Sequence, residues 1–247
     1  MKVWFLVGWL VLLAGPASAD TARIAVAANF AEPMQAIAKL FADGGHDVAA
    51  SIGSTGQFYA QITNGAPFDV LLSADRATPE KLEREGFAVA GTRFTYALGR
   101  LALYSADAGR IGADGAAALR GDFRKLALAN PDLAPSGDAA RQSLIALGLW
   151  DAVQPKLVLG QNIGQTFQFV QTANAELGFV ALSQIMGPHA PAGGSRWEVP
   201  QRLYKPIEQD AVLLKHGADN AAARAFIDFL RGKPAHEVMA TFGYGIE

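Results

Sequence analysis

Short apolar runs alternate along this chain with segments of helical period, the arrangement of an α/β protein. Residues 24–27, 48–52, 69–72, 101–104, 126–129, 157–159, 177–181 and 211–214 predict strands. Helices are predicted between them over 56–63, 78–86, 137–147, 164–172, 220–231 and 235–242. The first helix has the clearest pattern: Phe30, Met34, Ile37, Ala38 and Phe41 fall on one face. Pro33 lies in its first turn, where a missing N–H does no harm, and Asn29 is expected to cap it. Gly86, Gly148 and Gly232 stand where helices should stop. The loop 187–195 carries two prolines and three glycines and is expected to be the least structured stretch.

No Pro/Ser-rich linker divides the chain. Two lobes would therefore be joined by strands that run from one to the other, and residues 93–103 and 203–214 are the candidate crossings. The division this implies is residues 20–98 with 207–247 in one lobe and residues 99–206 in the other.

The N-terminal patterning differs in kind. Lys2 is followed by a nearly unbroken apolar run to Ala14 and then by Ala17-Ser18-Ala19, a signal-peptide cleavage pattern that would start the mature chain at Asp20. The run is shorter than the roughly 20 apolar residues needed to span a bilayer. Residues 1–19 are thus expected to direct export, leaving a soluble periplasmic protein of 228 residues, enough for two lobes of about 100 each. The 51% apolar content of the full chain supports a packed core. The absence of cysteine excludes disulfides, thiolate metal sites, a cysteine nucleophile and a lipid-anchored N-terminus. A net charge of −2 with no basic stripe excludes a nucleic-acid footprint.

The common catalytic signatures are missing. There is no phosphate loop, no G-x-G-x-x-G and no G-x-S-x-G elbow. His46, His189, His216 and His236 are scattered without metal-ligand spacing. Asp69, Asp75 and Asp138 read as a strand-start residue, a loop or cap residue and a first-turn residue, not as acid/base groups.

Four times an apolar strand runs into a small polar turn and then a helix. The turns are Ala28-Asn29, Ser54-Thr55-Gly56, Pro135-Ser136-Gly137 and Asn162-Ile163-Gly164. Each places the unpaired N–H groups and positive dipole end of a helix beside a small polar side chain or a glycine. Converging, they would hold an anion without any Lys or Arg, and none lies in these turns. A donor-only cavity favours a fully deprotonated oxyanion, because a protonated one would set its O–H against another donor.

On these turns the chain resembles the periplasmic molybdate-binding proteins of ABC transporters, over essentially the whole mature length. The carrying stretches are AVAANFAEPMQAIA (25–38), SIGSTGQFYAQITNGAPFDVLLSAD (51–75), RFTYALGRLALYS (93–105), LALANPDLAPSGDAARQSLIALGLWD (126–151) and GQNIGQTFQFVQTANAELGFVAL (160–182). The resemblance implies a two-lobed periplasmic binding protein fold of type II, each lobe a mixed sheet flanked by helices, with a hinge of two crossing strands. It implies an oxyanion held by Ala28 and Asn29, Ser54 and Thr55, the N–H of Ser136 and the N–H of Ile163. Asn29 would give an amide and a backbone donor, Thr55 its hydroxyl and N–H. Some relatives carry a tyrosine where this chain has Ala181, so it looks more like the branch with Asn-Phe in its first turn.

The resemblance further implies a monomeric binding protein, not an enzyme, that takes molybdate or tungstate, uses no cofactor and docks on a membrane permease. Molybdenum would enter as its oxyanion, with no protein atom on the metal. The alternatives are an importer for another small oxyanion or small acid, a receptor reporting oxyanion level, and a secreted hydrolase with Ser54 or Ser136 as nucleophile. Whether Tyr59 or Tyr96 reaches the cleft stays open at this stage.

Overall fold

The computed structural model describes residues 21–246; the predicted leader, residues 1–19, lies outside them. The first sheet begins with β1 (Thr21–Ala27), leading through a single 3-10 turn to α1 (Ala31–Asp43). Then come β2 (Asp47–Gly53), α2 (Thr55–Thr63), β3 (Val70–Leu72), α3 (Ala77–Arg84) and β4 (Phe94–Gly99). After Arg100 the chain enters a second sheet, built from β5 (Leu101–Ser105), α4 (Gly115–Arg120), β6 (Leu126–Ala129), α5 (Pro135–Ala146), α6 (Trp150–Val153), β7 (Leu157–Gly160), α7 (Ile163–Gln171), β8 (Leu177–Ala181) and β9 (Ser195–Glu198). Residues 199–206 return to the first sheet, which is completed by β10 (Ile207–Leu213) and covered by α8 (Ala221–Leu230) and α9 (Lys233–Thr241).

The strand orders are β2-β1-β3-β10-β4 and β7-β6-β8-β5-β9. In each sheet the strands that precede site helices run parallel at one end: β1 with β2 and β3, and β6 with β7 and β8. The returning strand is antiparallel, β10 against β3 and β4, and β5 against β8 and β9. This is the expected α/β two-lobed architecture with mixed sheets. Side-chain alternation gives each sheet two apolar faces. Ile24 and Val26 of β1 pack under α1, α8 and α9, whereas Ala25 faces Phe58 and Ile62 of α2. The second lobe repeats the scheme, with Leu126 and Leu128 on one face and Ala127 on the other.

Two local expectations change. Asn29 does not cap α1: the helix starts two residues later with Phe30 at the cap position and no side-chain cap bond. Gly86, Gly148 and Gly232 each follow the C-cap of a helix as expected, the first two at positive φ (+82° and +67°), while Gly232, at φ −83°, also serves as the N-cap of α9. The loop at 187–195 gives way at its end to β9, an edge strand on β5 that the period-2 pattern was too short to reveal. Trp197 of β9 lies so close over Gly115 that a Cβ there would fall 1.9 Å from its ring, which accounts for a glycine opening α4.

Candidate functional site

The parallel strands of both sheets end at the same place, so the four helix-start turns meet. Ala28, Asn29, Ser54, Thr55, Ser136 and Ile163 all line one small cavity, together with Ala74, Ala134 and Asn162. The first four residues come from one lobe and the last two from the other. No residue lining it is charged. On its outer side the cavity opens toward a wider cleft that shares Thr55, Ala74, Ala134 and Pro135.

The second turn is held by a capping box. Ser54 Oγ accepts the Gln57 N–H at 3.4 Å, and Gln57 Oε1 accepts the Ser54 N–H at 3.2 Å. The Ser54 backbone donor is therefore consumed, leaving its hydroxyl proton. Thr55 Oγ1 accepts the Ala74 N–H at 3.0 Å, which pins the side chain and leaves its hydroxyl proton to donate. In the fourth turn Asn162 Oδ1 accepts the Gln165 N–H at 3.0 Å and caps α7. In the third, Pro135 opens α5 and needs no partner for its nitrogen. The N–H groups of Thr55, Ser136 and Ile163 stand in first helical turns, have no acceptor in their own helices and find none elsewhere among the described residues.

Asn29 behaves differently from expectation. Its amide Nδ2 donates to Gln209 Oε1 at 2.9 Å and to Tyr244 Oη at 3.0 Å, so both protons point into the lobe and not at the cavity. Its carbonyl accepts from Ser183 Oγ and from Tyr244 Oη, each at 2.8 Å. With the side chain held under Tyr244, Asn29 can offer the cavity only its backbone. Burial pushes the Tyr244 hydroxyl up to about 12, so it stays a neutral donor at physiological pH. Tyr244 and Ala181 line a further cavity behind the first, with Ser183 and Gln209.

Three hydrogen bonds join the lobes across the site, one of them from Tyr244 Oη to Ser183 Oγ at 3.1 Å. Gly56 N–H donates to the Leu133 carbonyl at 3.0 Å, and Ser183 Oγ donates to the Asn29 carbonyl. Ala28 of one lobe packs with Ala129, Ala134, Ile163 and Ala181 of the other. The arrangement sets two walls of neutral donors facing each other, a chemistry suited to an anion.

A family model for bacterial extracellular solute-binding proteins matches residues 22–245. The chain belongs to that family. This solute-binding protein is 54% identical to the molybdate-binding protein of Azotobacter vinelandii over 237 residues, covering 96% of this chain and 94% of the relative. It is 50% identical to the molybdate-binding protein of Rhodobacter capsulatus, covering 95% and 92%. Among solved structures it superposes on the Azotobacter vinelandii periplasmic molybdate-binding protein with a TM-score of 0.88 at 41% identity, covering 92% of this chain and 99% of that one. The Mycobacterium tuberculosis sulfate-binding protein SubI, at 15% identity and TM-score 0.70, shares the fold.

The two tyrosines left open by the sequence lie off the donor-lined cavity. Tyr59 sits on the outer face of α2, donating to Glu85 Oε2 at 2.8 Å with Lys81 over its ring. Tyr96 is buried, its hydroxyl 3.1 Å from the Ser73 carbonyl and 3.0 Å from Gln209 Oε1. Burial pushes it well above the ordinary tyrosine range, and it braces the site from behind. The hydrolase alternative finds no base: no histidine lines the cavity. His216 instead pairs with the buried Asp69 at 2.7 Å, and His46 stacks on Phe41. Tyr244, Ser183 and Gln209 were not singled out from sequence. Only their meeting around Asn29, from three distant segments, marks them.

Proposed function

We propose that this protein captures molybdate between its lobes in the periplasm and delivers it to an ABC importer, and that tungstate, similar in size and charge, binds comparably. It is a transport-binding protein and not an enzyme, as its relatives are. One observation carries the reading: both lobes contribute to one cavity lined with neutral donors and free of charged side chains. The names of the relatives identify the oxyanion.

The proposed contacts are the N–H groups of Thr55, Ser136 and Ile163, the hydroxyls of Thr55 and Ser54, and the backbone of Ala28 and Asn29. Residues 20–98 with 207–247, and residues 99–206, would move as two bodies about the chain crossings at Arg100 and 199–206. Opening breaks the Gly56–Leu133, Ser183–Asn29 and Tyr244–Ser183 bonds and admits the ion; closure restores them and presents one surface to the permease. Residues 1–19 serve as the export signal, and the mature chain works as a monomer.

Thermal unfolding with molybdate, tungstate, sulfate and phosphate tests this. At a thousandfold over its dissociation constant, a ligand that binds only the folded state adds about 4 kcal/mol. A large rise in midpoint is expected for molybdate and tungstate and little for the other two, sulfate being smaller and phosphate carrying a proton. Equal shifts with sulfate would refute the assignment. Thr55→Ala should weaken molybdate by about 2 kcal/mol, roughly 30-fold, by removing a donor to a buried anion. Calorimetry showing unchanged affinity would remove Thr55 from the site.

A further inference from the structure

Behind Thr55 runs a short chain of hydrogen-bonding side chains that ends in a carboxyl group. Ser73 Oγ, fully buried, lies 3.4 Å from Thr55 Oγ1 and 3.1 Å from Asp75 Oδ1, and it accepts the Asp75 N–H at 3.2 Å. Asp75 also fixes the start of α3, Oδ1 accepting the Thr78 N–H at 2.8 Å and Oδ2 the Thr78 hydroxyl at 3.1 Å. A helix cap requires the Thr78 contacts alone. It does not require a buried serine bridging that carboxyl to the hydroxyl on the cavity wall.

Asp75 has no cation of its own. Arg76 turns away to Glu208 at 2.9 Å and lies 3.7 Å from Asp210. Arg93 is taken by Asp210 at 2.7 Å and Glu83 at 2.9 Å. Asp210 on β10 therefore faces Asp75 as a like charge. Across the cleft that Asp75 lines stand Asp132, Asp138 and Lys205, with Glu208 on its rim. Burial holds the Asp75 carboxyl above the ordinary carboxylate range; the Thr78 and Ser73 hydrogen bonds pull it down and Asp210 pushes it up.

We propose that Asp75 takes up a proton when the oxyanion binds and, through Ser73, acts as the positioning residue for the Thr55 hydroxyl proton. This rests on the oxyanion reading of the cavity. Ser73 has one proton to give. With Asp75 ionised, that proton goes to the carboxylate, and Ser73 offers Thr55 a lone pair that draws the Thr55 proton away from the ligand. With Asp75 protonated, the chain reverses: Asp75 donates to Ser73, Ser73 to Thr55, and Thr55 to the anion. Protonation also removes a negative charge close to a dianion. Linkage then sets the sign. Binding raises the Asp75 pKa, so affinity is weakest above the bound-state value, strengthens as pH falls, and levels off below the free-state value. The gain is at most tenfold per pH unit for one proton.

The test is isothermal calorimetry with micromolar sodium molybdate from about pH 5 to about pH 7.5, at each pH in several buffers of different ionisation heat. The expected result is a binding heat that depends on the buffer, reporting uptake of a fraction of a proton at the acid end, with Kd falling several-fold over that span. Asp75→Asn should abolish the uptake and flatten the profile. Ser73→Ala leaves the α3 cap in place and should lose most of the uptake, which covers the case of Asp75→Asn failing to fold. Buffer-independent heats in the unaltered protein overturn the proposal while leaving the molybdate site intact, as does uptake that persists in Asp75→Asn or undiminished in Ser73→Ala. No binding heat at any pH overturns both.

Discussion

Replacing Gly56 with Val is expected to weaken molybdate binding by about 100-fold or more while the ligand-free protein unfolds at an almost unchanged temperature. Gly56 is the second residue of α2, and its N–H crosses the cleft to the Leu133 carbonyl. A Cβ there would lie 3.1 Å from that carbonyl oxygen and 3.2 Å from the Leu133 Cα. Both are backbone atoms that no rotamer change removes, and the two γ-methyls of Val add bulk that cannot swing clear. The three nearest atoms all belong to Leu133 of the second lobe, so the strain falls on closure. Overpacking of this kind costs about 1–3 kcal/mol or more. Here it also holds the second lobe's donors away from the ion, which brings the total to roughly 3–4 kcal/mol. Calorimetry gives the affinity and a melting curve without ligand gives the fold. Unchanged affinity would mean that the lobes do not approach this closely around the ion.

Gly137→Ala should have the largest effect on the fold itself. Its Cβ would lie 2.1 Å from the Ala129 carbonyl oxygen and 2.8 Å from the carbonyl carbon, inside contact distance of the end of β6. Since that oxygen belongs to a central strand, relief requires α5 to lift off the sheet. A loss of about 3 kcal/mol or more is expected in urea unfolding. Molybdate affinity should fall too, because the same movement displaces the Ser136 N–H. Gly148→Ala is the comparison: it sits at φ +67° with nothing within 4 Å of its Cβ, so only backbone strain of about 1 kcal/mol applies. If Gly137→Ala cost no more than Gly148→Ala, the close seat of α5 on β6 would be wrong.

Sequence reading was strongest where one residue's role depends on its near neighbours. The core strands 126–129 and 177–181 agree with β6 and β8 residue for residue. The four turns were visible because a strand end, a small polar residue and a helix start follow each other within a few positions. It failed where a residue's partner is far along the chain. Asn29 looked like a helix cap and an amide donor, since a polar residue before an apolar helix usually caps it. Its amide is instead claimed by Gln209 and Tyr244, 180 and 215 residues away. Four residues of β9 pair only because β5 offers a free edge.

Local order therefore determined the elements, the α/β class and the neutral, donor-rich character of the turns, because caps, periodicity and dipole ends act over one or two helical turns. The tertiary structure alone decided that the turns of both lobes close on a single cavity, and which of their donors remain free. It turned the Asn29 amide inward and set Ser73 and Asp75 behind Thr55. These are outcomes of hydrogen-bond competition among groups brought together by folding, and a donor's availability depends on every acceptor within about 3 Å of it, wherever in the chain that acceptor lies.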